Sequence, residues 1–257
     1  AGQSLNFHVN DDNYADNEGA LTVSYECGDV AAQAGGTAPL NDTGITACWD
    51  NTSILGDCAT ASLGLWFDLN QDGQNGRDAL AAKGQLTKVG AGSAGFDFTK
   101  IDANGSPLPA NAASWSCVRD NHTGLMWEVK TLGNMGTTYT WYNPDAATNG
   151  GFAGYENGGV NTHAFVAAVN KDGLCGHNDW RLPDRMELAG LVDLSKPYPG
   201  PTIDTAYFPN TAQSWYWTSS PFAGNGDYAW FVGFSNGGTD DYVKNNSGYV
   251  RVVRSGQ

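Results

Sequence analysis

Trp215-Tyr216-Trp217-Thr218-Ser219-Ser220-Pro221 and Ala229-Trp230-Phe231-Val232-Gly233-Phe234 are the two stretches whose reading decides the fold. Both are rich in aromatic and β-branched side chains, the residues that pack well on a pleated surface. Two further runs share the character: Trp180-Arg181-Leu182-Pro183 before them and Tyr249-Val250-Arg251-Val252-Val253-Arg254 after them. The connecting loops are built of Gly, Asn, Asp, Ser and Tyr. Stiff hydrophobic strands carrying small polar and tyrosine-rich loops suit a surface that holds ligands.

Working outward, two helices are expected. Thr162 caps one through Ala164–Val169 that stops at Gly173; the other starts near Pro183-Asp184, runs through Val192, and has Pro197 beyond it. Cys117–Lys130 reads as an Asp-Asn-x-Thr-Gly turn leading into a strand, and Phe96–Ile101 as an alternating strand. The result is an α+β domain over 95–257, with 28–94 a linker or irregular decoration. Residues 1–27 are expected to form the terminal β-hairpin of a preceding β-domain, with Leu5, Phe7 and Val9 on one strand and Leu21, Val23 and Tyr25 on the next.

The composition narrows the function. Of 257 residues only 16% are charged, 12% are aromatic and 34 are Gly, which describes a loop-rich globule rather than a disordered chain. Thirteen basic against 27 acidic residues leave a net charge of −14. That excess repels phosphate backbones and anionic membranes, and no Lys/Arg run offsets it, so nucleic acid is excluded as a partner. No apolar run approaches the roughly 18 residues of a membrane span. No signal peptide opens the chain, which begins abruptly at Ala1, as a fragment or processed form of a larger polypeptide would.

Acidic side chains do collect divalent cations. Two loops have that character: Asn10–Gly19, with Asp11, Asp12, Asp16 and Asn17, and Asp68-Leu69-Asn70-Gln71-Asp72-Gly73 followed by Asp78. The second opens like an EF-hand loop, but its closing Glu is replaced by Ala79. The alternative for the first is a solvated Asx-rich turn. The first hairpin resembles the closing hairpin of calcium-dependent bacterial sugar-binding β-sandwiches. Gly90–Gly95 satisfies G-x-G-x-x-G but precedes a strand rather than a helix, so it reads as a connector.

None of the five cysteines forms C-x-x-C, and none has His at zinc spacing. Cys48 and Cys58 bracket a short loop and Cys117 and Cys175 sit at the edges of the core module, so disulfides are expected, with Cys27 left over. Disulfides imply an extracellular or cell-surface location. The four histidines are scattered, and no G-x-S-x-G or phosphate-binding loop occurs. The chain is therefore expected not to be an enzyme.

Five motifs in order, Cys-Val-x-Asp-Asn-x-Thr-Gly-Leu-x-Trp-Glu (117–128), Leu-Cys-Gly-x-x-Asp-Trp-Arg-Leu-Pro (174–183), Tyr-Trp-Thr-Ser-Ser (216–220), Ala-Trp-x-Val-x-Phe (229–234) and Val-Arg-x-Val-Arg (250–254), resemble the C-terminal domain family of the collagen-like adhesin Lcl. Upstream, Leu40-Asn41-Asp42-Thr43-Gly44-Ile45-Thr46 and the stretch from Gly76 to Asp102 look like a decoration many members carry. The resemblance implies a C-type-lectin-like fold, in the branch shared with formylglycine-generating enzymes and with variable proteins of diversity-generating retroelements, and roles in adhesion and ligand display. The late cysteines that the oxidases need are absent here, the last being Cys175. The adhesin's sulfated polysaccharide ligand fits poorly with a charge of −14.

In 229–234, period 2 assigns Trp230, Val232 and Phe234 to the core and Phe231, Gly233 and Ser235 outward. The candidate ligand-binding set is Asp227, Tyr228, Phe231, Ser235, Asn236, Asp240, Asp241, Tyr242, Lys244, Asn245 and Asn246, contacting a glycan or a surface protein. Residues of these types are also what adenine-directed mutagenesis of Asn-type codons yields, which keeps a diversified display protein as the alternative. A plain set of polar turns is the bland reading. Tyr139, Trp141, Tyr142 and Tyr155, with Asn143 and Asp145, form a second aromatic cluster suited either to sugar stacking or to core packing. Arg181, Arg251 and Arg254 are read as structural, paired with carboxylates such as Asp179 or Glu187.

Overall fold

A computed structural model describes residues 39–49, 54–55, 58 and 71–256. The chain divides into two units, Ala1–Thr37 and Ala38–Gln257, and the described residues all belong to the second. The expected N-terminal hairpin, with Asp11, Asp12, Asp16, Asn17 and Cys27, lies outside the described residues, as do Asp68 and Asn70.

The elements in chain order are β1 (Cys48–Trp49), β2 (Ile54–Leu55), α1 (Gly76–Ala82), β3 (Phe98–Ile101), β4 (Pro107–Leu108), β5 (Cys117–Asp120), β6 (Leu125–Glu128), β7 (Tyr139–Thr140), α2 (Thr162–Asp172), α3 (Arg185–Ala189), β8 (Trp215–Pro221), β9 (Tyr228–Gly233), β10 (Thr239–Val243), β11 (Ser247–Gly248) and β12 (Val253–Ser255). The fold is α+β, with short helices and antiparallel ladders throughout the named strands. A five-stranded sheet runs β12-β6-β5-β3-β4, and a three-stranded sheet runs β10-β9-β8. Pairing β12 with β6 brings the last strand back beside the β5–β6 hairpin, Val253 opposite Trp127.

The expected turn at 121–124 joins β5 to β6. Asp120 builds it: one carboxylate oxygen accepts the backbone N–H of His122 and of Thr123, and Gly124 takes φ +74. The other oxygen accepts from the Asn41 side chain, whose amide also donates to the Gly190 carbonyl, so the upstream 39–49 segment is tied into the domain. Both expected helices form. Asn161 rather than Thr162 caps α2, accepting from the Ala164 N–H, and Gly173 ends it in the left-handed region at φ 68. Asp184 and Glu187 make a reciprocal capping box on α3. That helix stops at Ala189 instead of Val192, although Leu188, Leu191 and Val192 are all buried. Helix α1 lies within the stretch read as decoration.

Both faces of the five-stranded sheet are covered, which is why β6 is buried at every position. Val118, Trp127 and Val253 meet Leu188, Phe208, Tyr216, Val232 and Phe234 on one side. Cys117 and Met126 meet Phe165, Trp180, Val250 and Val252 on the other. The Trp180–Pro183 run is not a strand: Arg181 makes one bridge to Val253, and the Asn170 side chain clamps the Trp180 N–H and C=O at 2.7 and 2.8 Å.

Both expected disulfides are present, Cys48–Cys58 and Cys117–Cys175. The arginine pairings hold for two of three. Arg181 forks onto Glu187 at 2.6 and 2.7 Å, and Arg254 onto Asp179 at 2.6 and 3.2 Å. Arg251 pairs with neither. It is wholly buried, donates to the Glu128 carbonyl at 2.6 Å and the Thr211 hydroxyl at 2.8 Å, and lies over the Phe208 ring.

Candidate functional site

In an antiparallel ladder, directly opposed residues share a face. β9 pairs with β8 and β10 in a register that sets Trp215 opposite Gly233, Trp217 opposite Phe231, Phe231 opposite Asp240, and Ala229 opposite Tyr242. One face of the three-stranded sheet therefore carries Trp215, Trp217, Phe231, Asp240 and Tyr242. Its floor is a buried cluster of Trp141, Trp217 and Ala229. The two floor indoles are held by their own N–H groups, Trp217 to the Tyr139 carbonyl at 3.0 Å and Trp141 to the Thr218 carbonyl at 2.8 Å. Above the floor, Trp215 meets Trp217 edge-on at 4.9 Å, Phe231 at 5.4 Å and Tyr242 edge-on at 5.6 Å. Trp215 and Phe231 are half-buried, and Tyr242 is 45% exposed. The outcome is a braced aromatic platform with a carboxylate beside it.

Trp215 is absent from the candidate ligand residues, because period 2 in one strand says nothing about which half-covered ring sits at a sheet's open edge. Its position depends on Gly248, where a Cβ would lie 2.0 Å from the indole Cζ3. Gly248→Ala is expected to tilt the ring and to cost about 1–3 kcal/mol through overpacking. Near-UV circular dichroism and a urea melt check this; an unchanged aromatic band would show that the ring does not rest on Gly248.

The other candidates divide. Asp241 lies on the opposite face of β10, facing Trp230, whose ring carries the Arg185 guanidinium at 4.3 Å and meets Phe222. Trp230 is thus only half-buried, whereas Val232 and Phe234 are core as expected. Tyr228 shares that opposite face, paired with Val243. Ser235 and Asn236 form the β9–β10 turn, with the Asn236 side chain accepting the Gly238 N–H. Asp227 and Asn245 are exposed, and Asn246 turns its amide to the Val243 carbonyl. Gly233 and Phe231 are not free outward positions: the first is buried, and the second leans on Trp215.

Lys244 is the clear correction. Expected to reach a ligand, it has no exposed surface. Its ammonium donates to the Asn149, Phe152 and Gly226 carbonyls at 2.9, 2.7 and 2.6 Å and lies 4.1 Å from the Trp141 ring centre. Burial pushes this ammonium down to about 8, which leaves it protonated at neutral pH with all three donors in use. It ties two loops to the end of β10 beneath the platform.

The second aromatic cluster disperses. Trp141 is buried in the floor, Tyr139 packs on Phe165, and Tyr142 donates to Glu156 at 2.8 Å. Asn143 and Asp145 are spent on their own loop, accepting from the Asp145 N–H and from Thr148.

Of the candidate metal ligands, Asp72 and Asp78 come together with Asp42, which sequence reasoning missed because it lies 36 residues before Asp78. One oxygen from each lies within 4.8 Å of the others. These carboxylates already hold the backbone in place. Asp78 accepts the Gly44 and Gly95 N–H groups at 2.6 Å each, Asp42 accepts the Asp78 N–H at 3.0 Å, and Asp72 accepts the Thr43 hydroxyl. Burial raises the Asp78 carboxyl above its ordinary range against the pull of the Gly95 bond, and the Asp42 charge adds to the rise.

Fold and site together define a disulfide-linked α+β module that presents an aromatic surface. The chain belongs to the Lcl C-terminal domain family, whose model matches residues 116–254, the span containing the platform and the Cys117–Cys175 link. This sets it among surface-associated domains, and the two disulfides are compatible with an extracellular or cell-surface location. No curated protein and no solved structure matches the chain. Among the described residues, no helix is long and apolar enough to cross a membrane.

Proposed function

We propose that this chain is an extracellular, non-catalytic, adhesin-type binding module with a C-type-lectin-like fold, carried by a larger parent polypeptide. It grips a glycan or a surface protein with the β8–β9–β10 face. The observation that carries the reading is the platform of Trp215, Phe231 and Tyr242 with Asp240 on the same face. Half-covered rings fixed by a rigid floor give a ligand large apolar contact at little entropic cost, and the neighbouring Asp and Asn side chains supply acceptors for its hydroxyl or amide groups. Because the only base on this part of the fold that sequence reasoning proposed, Lys244, is spent on three carbonyls, a neutral ligand is favoured over a sulfated one.

The exposed Asn236, Asp240, Tyr242 and Asn245 favour a second reading, a variable display protein of a diversity-generating retroelement. A template repeat and a reverse transcriptase gene beside the coding sequence would be required.

Glycan and peptide arrays test the main proposal. The wild-type chain should bind a discrete subset, and Trp215→Ala and Tyr242→Ala should weaken that binding by about tenfold or more while leaving the fold intact. Parallel arms with calcium and with a chelator test whether a cation is needed. Silence of the wild type in every arm, or equal binding by both variants, would remove the platform from the function.

A further inference from the structure

Where β6 leaves the five-stranded sheet, Lys130 and Asn134 meet on one carboxylate oxygen. The Lys130 ammonium donates to Glu128 Oε1 at 2.9 Å, and the Asn134 side-chain amide donates to the same oxygen at 3.1 Å. The Lys130 and Glu128 side chains are 4% and 3% exposed, so the ion pair is enclosed. The chain turns back at this point. The Thr131 carbonyl accepts from the Asn134 and Met135 N–H groups at 3.2 and 2.9 Å, which returns Asn134 to the end of the strand. Asn134 Oδ1 accepts from the Thr131 N–H at 2.9 Å and the Thr131 hydroxyl at 3.2 Å. Donors at one end of this carboxamide and a carboxylate at the other fix which atom is oxygen and which nitrogen.

Each group stands where an acyl transfer to an amine needs it. A lysine becomes a nucleophile when it is desolvated and gives up a proton. Burial lowers the Lys130 ammonium from its ordinary value against the pull of Glu128, and the Arg251 charge adds to the lowering. The Phe165 ring, 4.5 Å from Nζ, helps to keep water away. Glu128 Oε1 bonds both nitrogens, so one acid–base group serves the attacking amine and the leaving one. The two Thr131 donors point at the oxygen on which negative charge would develop. Asn134 also lines a solvent-open cleft, which gives a small leaving group a way out.

We propose that the chain cross-links itself here through an amide between Lys130 Nζ and Asn134 Cγ. Lys130 passes one proton to Glu128, and its lone pair forms the bond to Cγ while the carbonyl pair moves to Oδ1. Glu128 delivers that proton to Nδ2 and takes a second one from Nζ. The pair on Oδ1 re-forms the carbonyl as the Cγ–Nδ2 bond breaks with its electrons on nitrogen. Ammonia leaves as ammonium with the last proton, and Glu128 is again a carboxylate. The balance needs no oxidant and no co-reactant. The link closes the turn after β6 and shares no residue with the aromatic platform, so the two readings stand or fall separately.

Intact-mass spectrometry of the full chain with its disulfides reduced tests this, together with a tryptic map. The wild type should weigh less than its sequence by one ammonia. Asn134→Ala, at a partly exposed position, and Glu128→Gln should each show the full mass of their own sequences. Trypsin should leave wild-type Lys130 uncut, giving one peptide from Asp120 to Lys171 that lacks an ammonia, and should cleave after Lys130 in both variants. The wild-type mass and map decide the matter even where a variant fails to fold. A wild type of full mass overturns the proposal, and so does a deficit of the same size in Glu128→Gln. An ammonia deficit with normal cleavage after Lys130 also overturns it, since that is the signature of a succinimide.

Discussion

Replacing Cys117 and Cys175 together by Ser lowers the unfolding free energy by about 4 kcal/mol in urea melts of the oxidised protein. The chain-entropy relation gives this value for a link spanning a separation of 58 residues, against about 3 kcal/mol for the separation of 10 between Cys48 and Cys58. Position reinforces the order. Cys117 and Cys175 are buried in the cluster between the sheet and α2, where each Ser would also bury a hydroxyl in place of sulfur. The Cys48→Ser/Cys58→Ser pair should therefore cost less. Equal losses in the two double variants would show that the longer link does not restrain the family domain as inferred.

Lys244→Met removes about 3 kcal/mol or more, and Asn245→Ala, one residue away, stays within about 0.5 kcal/mol. Methionine keeps much of the packing on Trp141 but deprives the Asn149, Phe152 and Gly226 carbonyls of their donor. Each buried acceptor left without a partner costs about 1–3 kcal/mol, partly recovered where a loop opens to water. Hydrogen exchange should accelerate in residues 149–154 and 225–228, and the platform should loosen with its floor. A Lys244→Met protein as stable as wild type would mean that the ammonium holds nothing together.

These two variants mark the boundary between what the sequence encodes locally and what the fold decides. Cysteine positions are visible as spacing, so both bridges were legible. Lys244 was not, because it stands in a polar run that reads as outward-facing, whereas three carbonyls from distant loops converge on it. Arg251 misled in the same way: its expected carboxylate is a backbone carbonyl of Glu128. The ligand candidates were legible as a region. Cross-strand register then separated Phe231, Asp240 and Tyr242 from Asp241 and Tyr228, and brought in Trp215 from another strand.

The amino-acid sequence by itself determined the aromatic strands β8 and β9, the presence of the two helices, the cysteine pairs and the family, because each depends on residues close in the chain or on an ordered set of motifs. Only the tertiary structure decided which rings stand at an open edge, which charges are enclosed, and which carboxylates meet, as Asp42 does with Asp72 and Asp78. The physical reason is that burial and hydrogen bonding are settled by neighbours in space, and a pattern along one strand carries no information about the strand or loop that comes to lie across it.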